Sequence, residues 1–250
     1  MPKVTASSQV LNLPKFSFGS FLRRVMWLFA LMVAMVARAD YPLVSHKYAA
    51  DPTGVEFNGR LYLYCSNDDD NGTNSYIMSS ITCFSSDDLK NWTDQGVVFR
   101  ASSTSWAGLT WAPSVISNQS KLYLYFANGA SSIGVATSSV PSGPFTDARG
   151  SSLINSSTPG ASTATQWLFD PCGLVDDDGK AYLYFGGQYP TNARVIALNA
   201  NLTTVSGSAS PMFATNLFEA SYMHKRNGIY YYTYCNRWRR WYNVLGKYHR

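Results

Sequence analysis

A repeated pair of a tight turn and an aromatic strand constrains the fold of this chain more than any other feature. The pattern occurs four times, as Asn58-Gly-Arg-Leu-Tyr-Leu-Tyr, Gln119-Ser-Lys-Leu-Tyr-Leu-Tyr, Asp178-Gly-Lys-Ala-Tyr-Leu-Tyr and Asn227-Gly-Ile-Tyr-Tyr-Tyr. Asn-Gly and Asp-Gly favour type I′ hairpin turns, because both central residues of that turn need a positive φ. The strand after each turn is apolar or aromatic on both faces, which is typical of a strand covered on both sides.

The spacing of the repeat predicts units of four strands. The aromatic strands begin at residues 61, 122, 181 and 229, so successive starts are 61, 59 and 48 residues apart. Further strands are predicted at 75–84 and 96–99 in the first unit, 132–137 in the second and 194–198 in the third. Helical periodicity is absent from residue 40 onward. Repeated four-stranded sheets indicate an all-β fold, a β-propeller, with an irregular β-sandwich as the alternative.

Acidic residues recur upstream of the aromatic strands. Ten or eleven residues before the four strand starts lie Asp51, Ala112, Asp170 and Glu219. Equivalent positions in a propeller face one axis, so we expect the three acids to converge at one end of the central channel. An Asp before a proline is often only a turn former, but three acids at one repeat offset indicate a site.

Three converging carboxylates fit the hydrolysis of a glycosidic bond. One carboxylic acid protonates the leaving oxygen, and one carboxylate acts from the opposite face of the sugar. A third acid nearby raises the pKa of the proton donor by like-charge repulsion. Trp111 and Phe169 lie next to the acid positions, and their rings either stack on a sugar or pack in the core.

At these residues the sequence resembles glycoside hydrolase family 43, the five-bladed propellers that include α-L-arabinofuranosidases, β-xylosidases and arabinanases. The resemblance runs from about residue 41 to 235 and is carried by Ala49-Ala-Asp-Pro-Thr-Gly, Ser85-Ser-Asp-Asp-Leu-Lys-Asn-Trp-Thr, Trp111-Ala-Pro-Ser-Val, Ser142-Gly-Pro-Phe-Thr-Asp, Trp167-Leu-Phe-Asp-Pro-Cys and Phe218-Glu-Ala-Ser-Tyr-Met. It implies that Asp51 is the general base, that Asp170 orients and tunes the acid, and that Glu219 is the general acid. Inverting hydrolysis would place base and acid roughly 6.5 to 9.5 Å apart.

The resemblance also sets expectations for partners. We expect an oligosaccharide or polysaccharide substrate, no cofactor, no metal ligand among the residues singled out and a monomeric enzyme, while a metal ion bound in the channel stays an open question. The sequence leaves two questions open. One is whether the enzyme releases arabinose or xylose, and the other is whether it cleaves at the end or within the polysaccharide chain. Two other functions also stay open: a non-catalytic carbohydrate-binding propeller, and a retaining fructan hydrolase on the related five-bladed fold.

The sequence departs from the family pattern after Cys235. Arg237-Trp-Arg-Arg-Trp-Tyr stands where the second half of a fourth blade is expected, and a fifth blade of about 60 residues does not follow. We therefore expect an incomplete five-bladed propeller of about three and a half blades over residues 40–235, followed by an atypical basic tail over 236–250. An open propeller leaves apolar blade faces in water.

The first 39 residues predict a secretory signal peptide and thus an extracellular protein. They contain five basic residues, no acid, and an apolar run of 13 residues that ends in Ala37-Arg38-Ala39. A membrane span takes about 20 apolar residues, so a membrane anchor is the less favoured alternative, and we expect no membrane contact after cleavage.

The net charge of +5 comes from the two ends of the chain. Residues 40–235 hold ten basic and fifteen acidic side chains, a net charge of −5. This distribution argues against a basic nucleic-acid-binding face.

The four cysteines, Cys65, Cys83, Cys172 and Cys235, suggest disulfide bonds in a secreted chain, with three full pairings possible. No Cys-x-x-Cys or His-x-x-x-His spacing supports zinc. Asn67-Asp-Asp-Asp-Asn-Gly is similar to a calcium loop, but Met78 stands where an EF-hand places its bidentate Glu. A solvated turn fits this run better.

Overall fold

The computed structural model describes residues 43–69, 76–118, 120–162, 167–188, 193–212, 214, 216–236 and 246–248. The chain divides into two compact units, Met1–Leu43 and Val44–Arg250. Of the first unit only Leu43 is described, so the predicted signal peptide over 1–39 lies outside the described residues. Within the described ranges, no helix is long and apolar enough to cross a membrane.

The described residues form β-strands and one 3-10 turn, Ala101–Ser103. The strands are β1 (Ala49–Phe57), β2 (Arg60–Asp68), β3 (Met78–Ser86), β4 (Thr93–Arg100), β5 (Trp111–Asn118), β6 (Lys121–Asn128), β7 (Ser132–Ser138), β8 (Thr146–Asp147), β9 (Cys172–Val175), β10 (Ala181–Phe185), β11 (Arg194–Leu198), β12 (Val205–Pro211), β13 (Leu217–Arg226), β14 (Ile229–Asn236) and β15 (Gly246–Tyr248). They pair in four antiparallel sheets, β1-β2-β3-β4, β5-β6-β7-β8, β9-β10-β11-β12 and β13-β14-β15. We call these sheets blades 1 to 4.

The sheets follow one another as propeller blades. The first strand of each blade contacts the first strand of the next, β1 with β5, β5 with β9 and β9 with β13. The four aromatic strands are β2, β6, β10 and β14, each second in its blade. The prediction of an all-β, incomplete propeller is confirmed, and the division into four separate sheets excludes the sandwich.

The third strand of blade 4 lies in the stretch predicted as a basic tail. The backbone of β15 pairs with β14, with Tyr232 opposite Gly246. Residues 246–248 therefore belong to the fourth sheet, while the remaining residues after 236 lie outside the described part of the chain.

The turns before the aromatic strands follow the predicted type at two positions. Asn58 and Gly59 have φ of 52° and 80°, and Asn227 and Gly228 have φ of 51° and 73°, as a type I′ turn requires. The turn at Asp178-Gly179 differs, because among these two residues only Gly179 has a positive φ. There the amide of Gly179 bonds to the carbonyl of Asp176, which lengthens the loop by one residue and makes the I′ prediction wrong.

Apolar side chains fill the spaces between blades, and buried tyrosines tie one blade to the next. Tyr64 of β2 and Tyr125 of β6 are fully buried. The Tyr64 hydroxyl donates to the carbonyl of Pro141 at 2.8 Å, and the Tyr125 hydroxyl donates to that of Leu202 at 2.9 Å. The repeat therefore places an aromatic ring, together with a partner for its polar end, between blades 1 and 2 and between blades 2 and 3.

The expected disulfide bonds are absent, since all four cysteines are free thiols. Cys65 and Cys83 lie on neighbouring strands, but their cross-strand partners are Thr82 and Tyr64. Cys172 instead meets blade 4, where the amide of Met223 donates to its Sγ at 3.2 Å. Cys65, Cys83 and Cys172 act as small buried core residues, while Cys235 is half-buried.

Candidate active site

A β-bulge interrupts the first strand of three blades near its start. Pairing with the aromatic strand skips from Ala50 to Thr53 in β1, from Trp111 to Ser114 in β5 and from Glu219 to Tyr222 in β13. Bulges bend a strand and redirect its side chains, and they are common beside active sites.

One residue at each of these places has left-handed backbone. These residues are Asp51, Ala112 and Ala220, with φ of 50°, 42° and 61°, and Asp170, two residues before β9, matches them with a φ of 48°. A positive φ strains any residue other than glycine, and such strain concentrates at functional sites.

The register corrects one sequence prediction. Asp51 and Asp170 occupy equivalent left-handed positions, but the equivalent residue in blade 4 is Ala220. Glu219 lies one residue earlier, at the position that Trp111 holds in blade 2. The prediction that Glu219 occupies the same repeat position as Asp51 and Asp170 is therefore wrong. The signal that distinguishes the two positions is the proline that follows Asp51, Ala112 and Asp170 but not Glu219.

All five predicted site residues nevertheless line one cavity of about 830 Å³. The first strands of all four blades contribute to its wall, which includes Asp51, Trp111, Phe169, Asp170 and Glu219. The volume is within the usual range for small-molecule sites.

Asp170 is the carboxylate most withdrawn from water. The pKa of Asp170 is raised to about 7, because burial and the charges of Asp51 and Glu219 together outweigh the hydrogen bond from the Ala220 amide, which lowers it. The Ala220 amide donates to Oδ2 at 2.6 Å. Asp170 thus contacts the bulge that follows Glu219, across the interface between blades 3 and 4.

Asp51 and Glu219 are less enclosed and interact through their charges. Burial raises the pKa of Asp51, a hydrogen bond from Ser66 lowers it, and the charge of Asp68 raises it. Burial and the charge of Asp51 raise the pKa of Glu219. Within the described residues the Glu219 carboxyl makes no hydrogen bond, so it is available to a ligand.

Trp111 and Tyr76 form one aromatic edge of the cavity. The Trp111 indole donates from Nε1 to the carbonyl of Tyr76 at 3.0 Å, and the two ring centroids are 6.0 Å apart. The Tyr76 side chain is 64% exposed although it lines the cavity. An exposed ring fixed beside a cavity is suited to stacking on a sugar.

Phe169 belongs to a second group of aromatic rings that line the cavity. Its ring meets Trp167 edge-on at 5.2 Å, and Trp167 meets Phe218 at 5.8 Å. A Cβ at Gly187 would lie 2.2 Å from the Phe169 ring, so only glycine fits there. Phe169 is 6% exposed and therefore combines a core position with a place on the cavity wall.

Sequence reasoning missed Ser66, Tyr76, Trp167 and Phe218. Trp167 and Phe218 stand within the motif stretches beside Phe169 and Glu219, so their positions were a usable signal. Ser66 and Tyr76 reach the site through contacts distant in sequence, for which the chain carries no local sign. Among the described residues, no group of three or more His, Cys, Asp or Glu is placed to hold a metal ion. The candidate calcium loop lies partly outside the described residues, which end at 69 and resume at 76.

Known proteins resemble this chain over most of its length. It is 43% identical over 228 residues to an arabinoxylan arabinofuranohydrolase of Bacillus subtilis, an alignment that covers 78% of this chain and 44% of the relative. It thus spans less than half of that protein.

Two solved structures share the fold. An α-L-arabinofuranosidase from Clostridium thermocellum is 47% identical, with a TM-score of 0.72 over 84% of this chain and 71% of the other. A glycoside hydrolase family 43 arabinoxylan arabinofuranohydrolase from Bacillus subtilis, in complex with cellotetraose, is 42% identical, with a TM-score of 0.71 over 78% of this chain and 47% of the other.

The family model described as glycosyl hydrolases family 43 matches residues 40–238, which include every acid of the cavity. With the four blades and the relatives at more than 40% identity, this match settles the classification. The chain belongs to glycosyl hydrolases family 43.

Proposed function

We propose that this protein hydrolyses terminal arabinofuranosyl linkages of plant cell-wall arabinoxylan or arabinan, with xylosyl linkages as the second substrate class. The observation that carries the proposal is the meeting of Asp51, Asp170 and Glu219 in one aromatic-walled cavity. The relatives named as arabinoxylan arabinofuranohydrolase and arabinofuranosidase support the arabinofuranosyl substrate.

Glu219 is the general acid in this proposal. Its carboxyl faces the cavity, and both burial and the negative charge of Asp51 raise its pKa, which favours the protonated form that donates to the leaving oxygen. Asp170 is unsuited to that role because it is more deeply buried and one of its oxygens already accepts the Ala220 amide. Asp170 is therefore a positioning residue.

Asp51 is the general base. It has an oxygen, Oδ1, without a hydrogen-bond partner among the described residues, and this oxygen can take a proton from water. The attack of that water from the face opposite Glu219 inverts the anomeric configuration.

Trp111 and Phe169 contribute the apolar surface on which a sugar binds. The Tyr76 carbonyl holds Trp111 and the Trp167 ring holds Phe169. Neither ring therefore loses much conformational entropy when a sugar binds. The partner is an oligosaccharide or polysaccharide, and we propose that the protein meets it outside the cell as a monomer. The apolar leader that ends at Ala39 supports secretion.

The test is to incubate the purified protein with aryl α-L-arabinofuranoside, aryl β-D-xyloside, arabinan and arabinoxylan. We expect release of arabinose, with the inverted anomer as the first product in proton NMR spectra. Glu219→Gln should strongly lower the release of arabinose from arabinan and arabinoxylan, while Glu56→Gln, a change at the exposed end of β1, should retain it. No release from any substrate would refute the proposal, and sugar binding without turnover would favour the non-catalytic propeller. Release of the retained anomer would refute the inverting mechanism.

A further inference from the structure

Ser66 of β2 is a completely buried polar residue between the proposed base and the second blade. Two polar groups surround its hydroxyl. The amide of Ala112 in the β5 bulge donates to Oγ at 2.8 Å, and Oγ lies 3.5 Å from Oδ2 of Asp51.

The donor and acceptor roles of this hydroxyl are fixed by its partners. A backbone amide can only donate, so Ala112 occupies a lone pair of Oγ and leaves the single hydroxyl proton for another acceptor. Among the described residues, Asp51 is the acceptor that this proton reaches. The hydrogen bonds therefore run in one direction, from Ala112 to Ser66 and from Ser66 to Asp51.

We propose that Ser66 is a positioning residue of the reaction, which keeps Asp51 ionised and ties it to the bulge that carries Trp111. The inference rests on the proposed role of Asp51 as general base. The separation of 3.5 Å leaves room for this hydrogen bond to shorten, as hydrogen bonds of catalytic groups often do in the complex with substrate.

The other blade interfaces show why a hydroxyl is placed here. Between blades 3 and 4 the Ala220 amide bonds directly to a carboxylate, that of Asp170, at 2.6 Å. Between blades 2 and 3 the Gly173 amide donates to Ser114 Oγ at 3.0 Å, and no carboxylate takes part in this hydrogen-bonded pair. Ser66 joins both features, because it satisfies the bulge amide and also donates to the base without occupying its Oδ1.

The charges around Asp51 make that donor important. Burial and the charge of Asp68 raise the pKa of Asp51 and so disfavour the ionised form that a base needs. The charge of Asp51 in turn raises the pKa of Cys65, Asp170 and Glu219. Within the described residues, the Ser66 hydroxyl is the hydrogen-bond donor that lowers the pKa of Asp51 against burial and the charge of Asp68.

The experiment compares Ser66→Ala, Ser66→Thr and Ser66→Cys with the matched change Ser114→Ala. Both Ala variants remove a buried hydroxyl that accepts an amide across a blade interface, but only Ser66 touches an acid. We expect Ser66→Ala to lower kcat by about tenfold, the effect of one lost hydrogen bond to a charged group, and to move the acidic limb of the kcat/KM profile to higher pH.

The controls separate positioning from stability. Ser66→Thr retains the hydroxyl and should keep the acidic limb of the parent, whereas Ser66→Cys, with its weak donor, should resemble Ser66→Ala. Ser114→Ala should lower the melting temperature without moving the limb. If the acidic limb of the kcat/KM profile lay at the same pH in Ser66→Ala and in the parent, the inference would be overturned.

A second readout does not depend on activity. The carboxyl carbon of Asp51, assigned in ¹³C NMR spectra by comparison with Asp51→Asn, can be titrated in the full chain and in Ser66→Ala. We expect a higher titration midpoint in Ser66→Ala, and an unchanged midpoint would overturn the inference even in an active enzyme. A protein that hydrolyses nothing would refute the proposed function, while the titration would still decide the role of Ser66.

Discussion

The backbone amide of Ala220 donates a 2.6 Å hydrogen bond to Oδ2 of Asp170, across the interface between blades 3 and 4. Ala220 has left-handed backbone and directly follows Glu219. The direction of the Glu219 side chain therefore depends on a carboxylate of the neighbouring blade.

Asp170→Asn and Asp170→Ala separate the charge of this carboxylate from its role as an acceptor. The Asn oxygen can still accept the Ala220 amide, whereas Ala leaves that amide without a partner. We expect both changes to lower kcat, and Asp170→Ala to lower it about tenfold more than Asp170→Asn. Steady-state kinetics of the two variants measure this difference. An equal loss of kcat in both would show that the hydrogen bond to the Ala220 amide does not matter for turnover.

Glu219→Gln tests general acid catalysis through the leaving group. An amide cannot donate the required proton, so turnover of arabinoxylan should fall by about 10²- to 10⁴-fold. An aryl arabinofuranoside with an acidic phenol needs less protonation, so its hydrolysis should fall much less.

Rates on both substrates check this difference, with Glu56→Gln as the control that leaves the cavity intact. Equal losses on the two substrates would show that Glu219 does not protonate the leaving oxygen.

Trp111→Ala tests the aromatic edge. Removal of the ring should raise KM about tenfold, which corresponds to about 1.4 kcal/mol of binding free energy, with a smaller change in kcat. Trp92→Ala is the matched control, because Trp92 does not line the cavity. A KM equal to that of the parent would place the sugar away from Trp111.

A buried ionic cluster joins the β9–β10 turn to blade 4 and predicts a pH-dependent stability. Burial raises the pKa of Asp176, but hydrogen bonds from Lys225 and Tyr230 outweigh it and hold the pKa below its usual range. A carboxyl with a lowered folded-state pKa stabilises the protein above its unfolded-state pKa, and this stabilisation is lost as the pH falls through the folded-state pKa. Asp176→Asn should therefore cost about 2 kcal/mol at neutral pH.

Urea unfolding at several pH values checks this. The difference between parent and Asp176→Asn should shrink below about pH 4, where the unfolded-state carboxyl protonates. Asp87→Asn, which breaks an exposed pair with Arg60, should change the free energy of unfolding by less than about 0.5 kcal/mol. If the difference in the free energy of unfolding stayed constant down to low pH, the pKa of Asp176 would not be lowered in the folded protein.

The free cysteines predict that the fold does not depend on oxidation. A thiol reagent should count four thiols in the denatured chain, and a reductant should leave the melting temperature unchanged. In the native protein Cys65 and Cys83 should react slowly, because burial raises the pKa of both thiols to about 12. Fewer than four thiols, or a lower melting temperature with reductant, would restore the disulfide prediction.

The blades could be predicted from the sequence because their signals are local. A turn such as Asn58-Gly59 and the alternation that follows it specify a strand and its start within ten residues. The same holds for the proline after Asp51, Ala112 and Asp170, which directly follows the left-handed residue of blades 1 to 3. Fold and cavity walls followed from these signals together with the family resemblance.

The register of Glu219 could not be predicted from the offset alone. A bulge adds one unpaired residue, so counting back from the aromatic strand leaves an uncertainty of one position. The roles of Ser66 and Tyr76 depend on contacts with Ala112 and Trp111, residues 35 or more positions away. The disulfide prediction failed because it came from the expected compartment and not from distances between strands.

The bulges also bear on how this scaffold can be altered. The acids sit at or beside the first strands of the blades, where left-handed backbone and amide bonds across the interfaces fix them. The connection between β3 and β4, residues 87–92, takes no part in those bonds, because its hydrogen bonds among the described residues stay within blade 1. Loop grafting at such connections offers a way to engineer new substrate preference while the reacting groups stay in place.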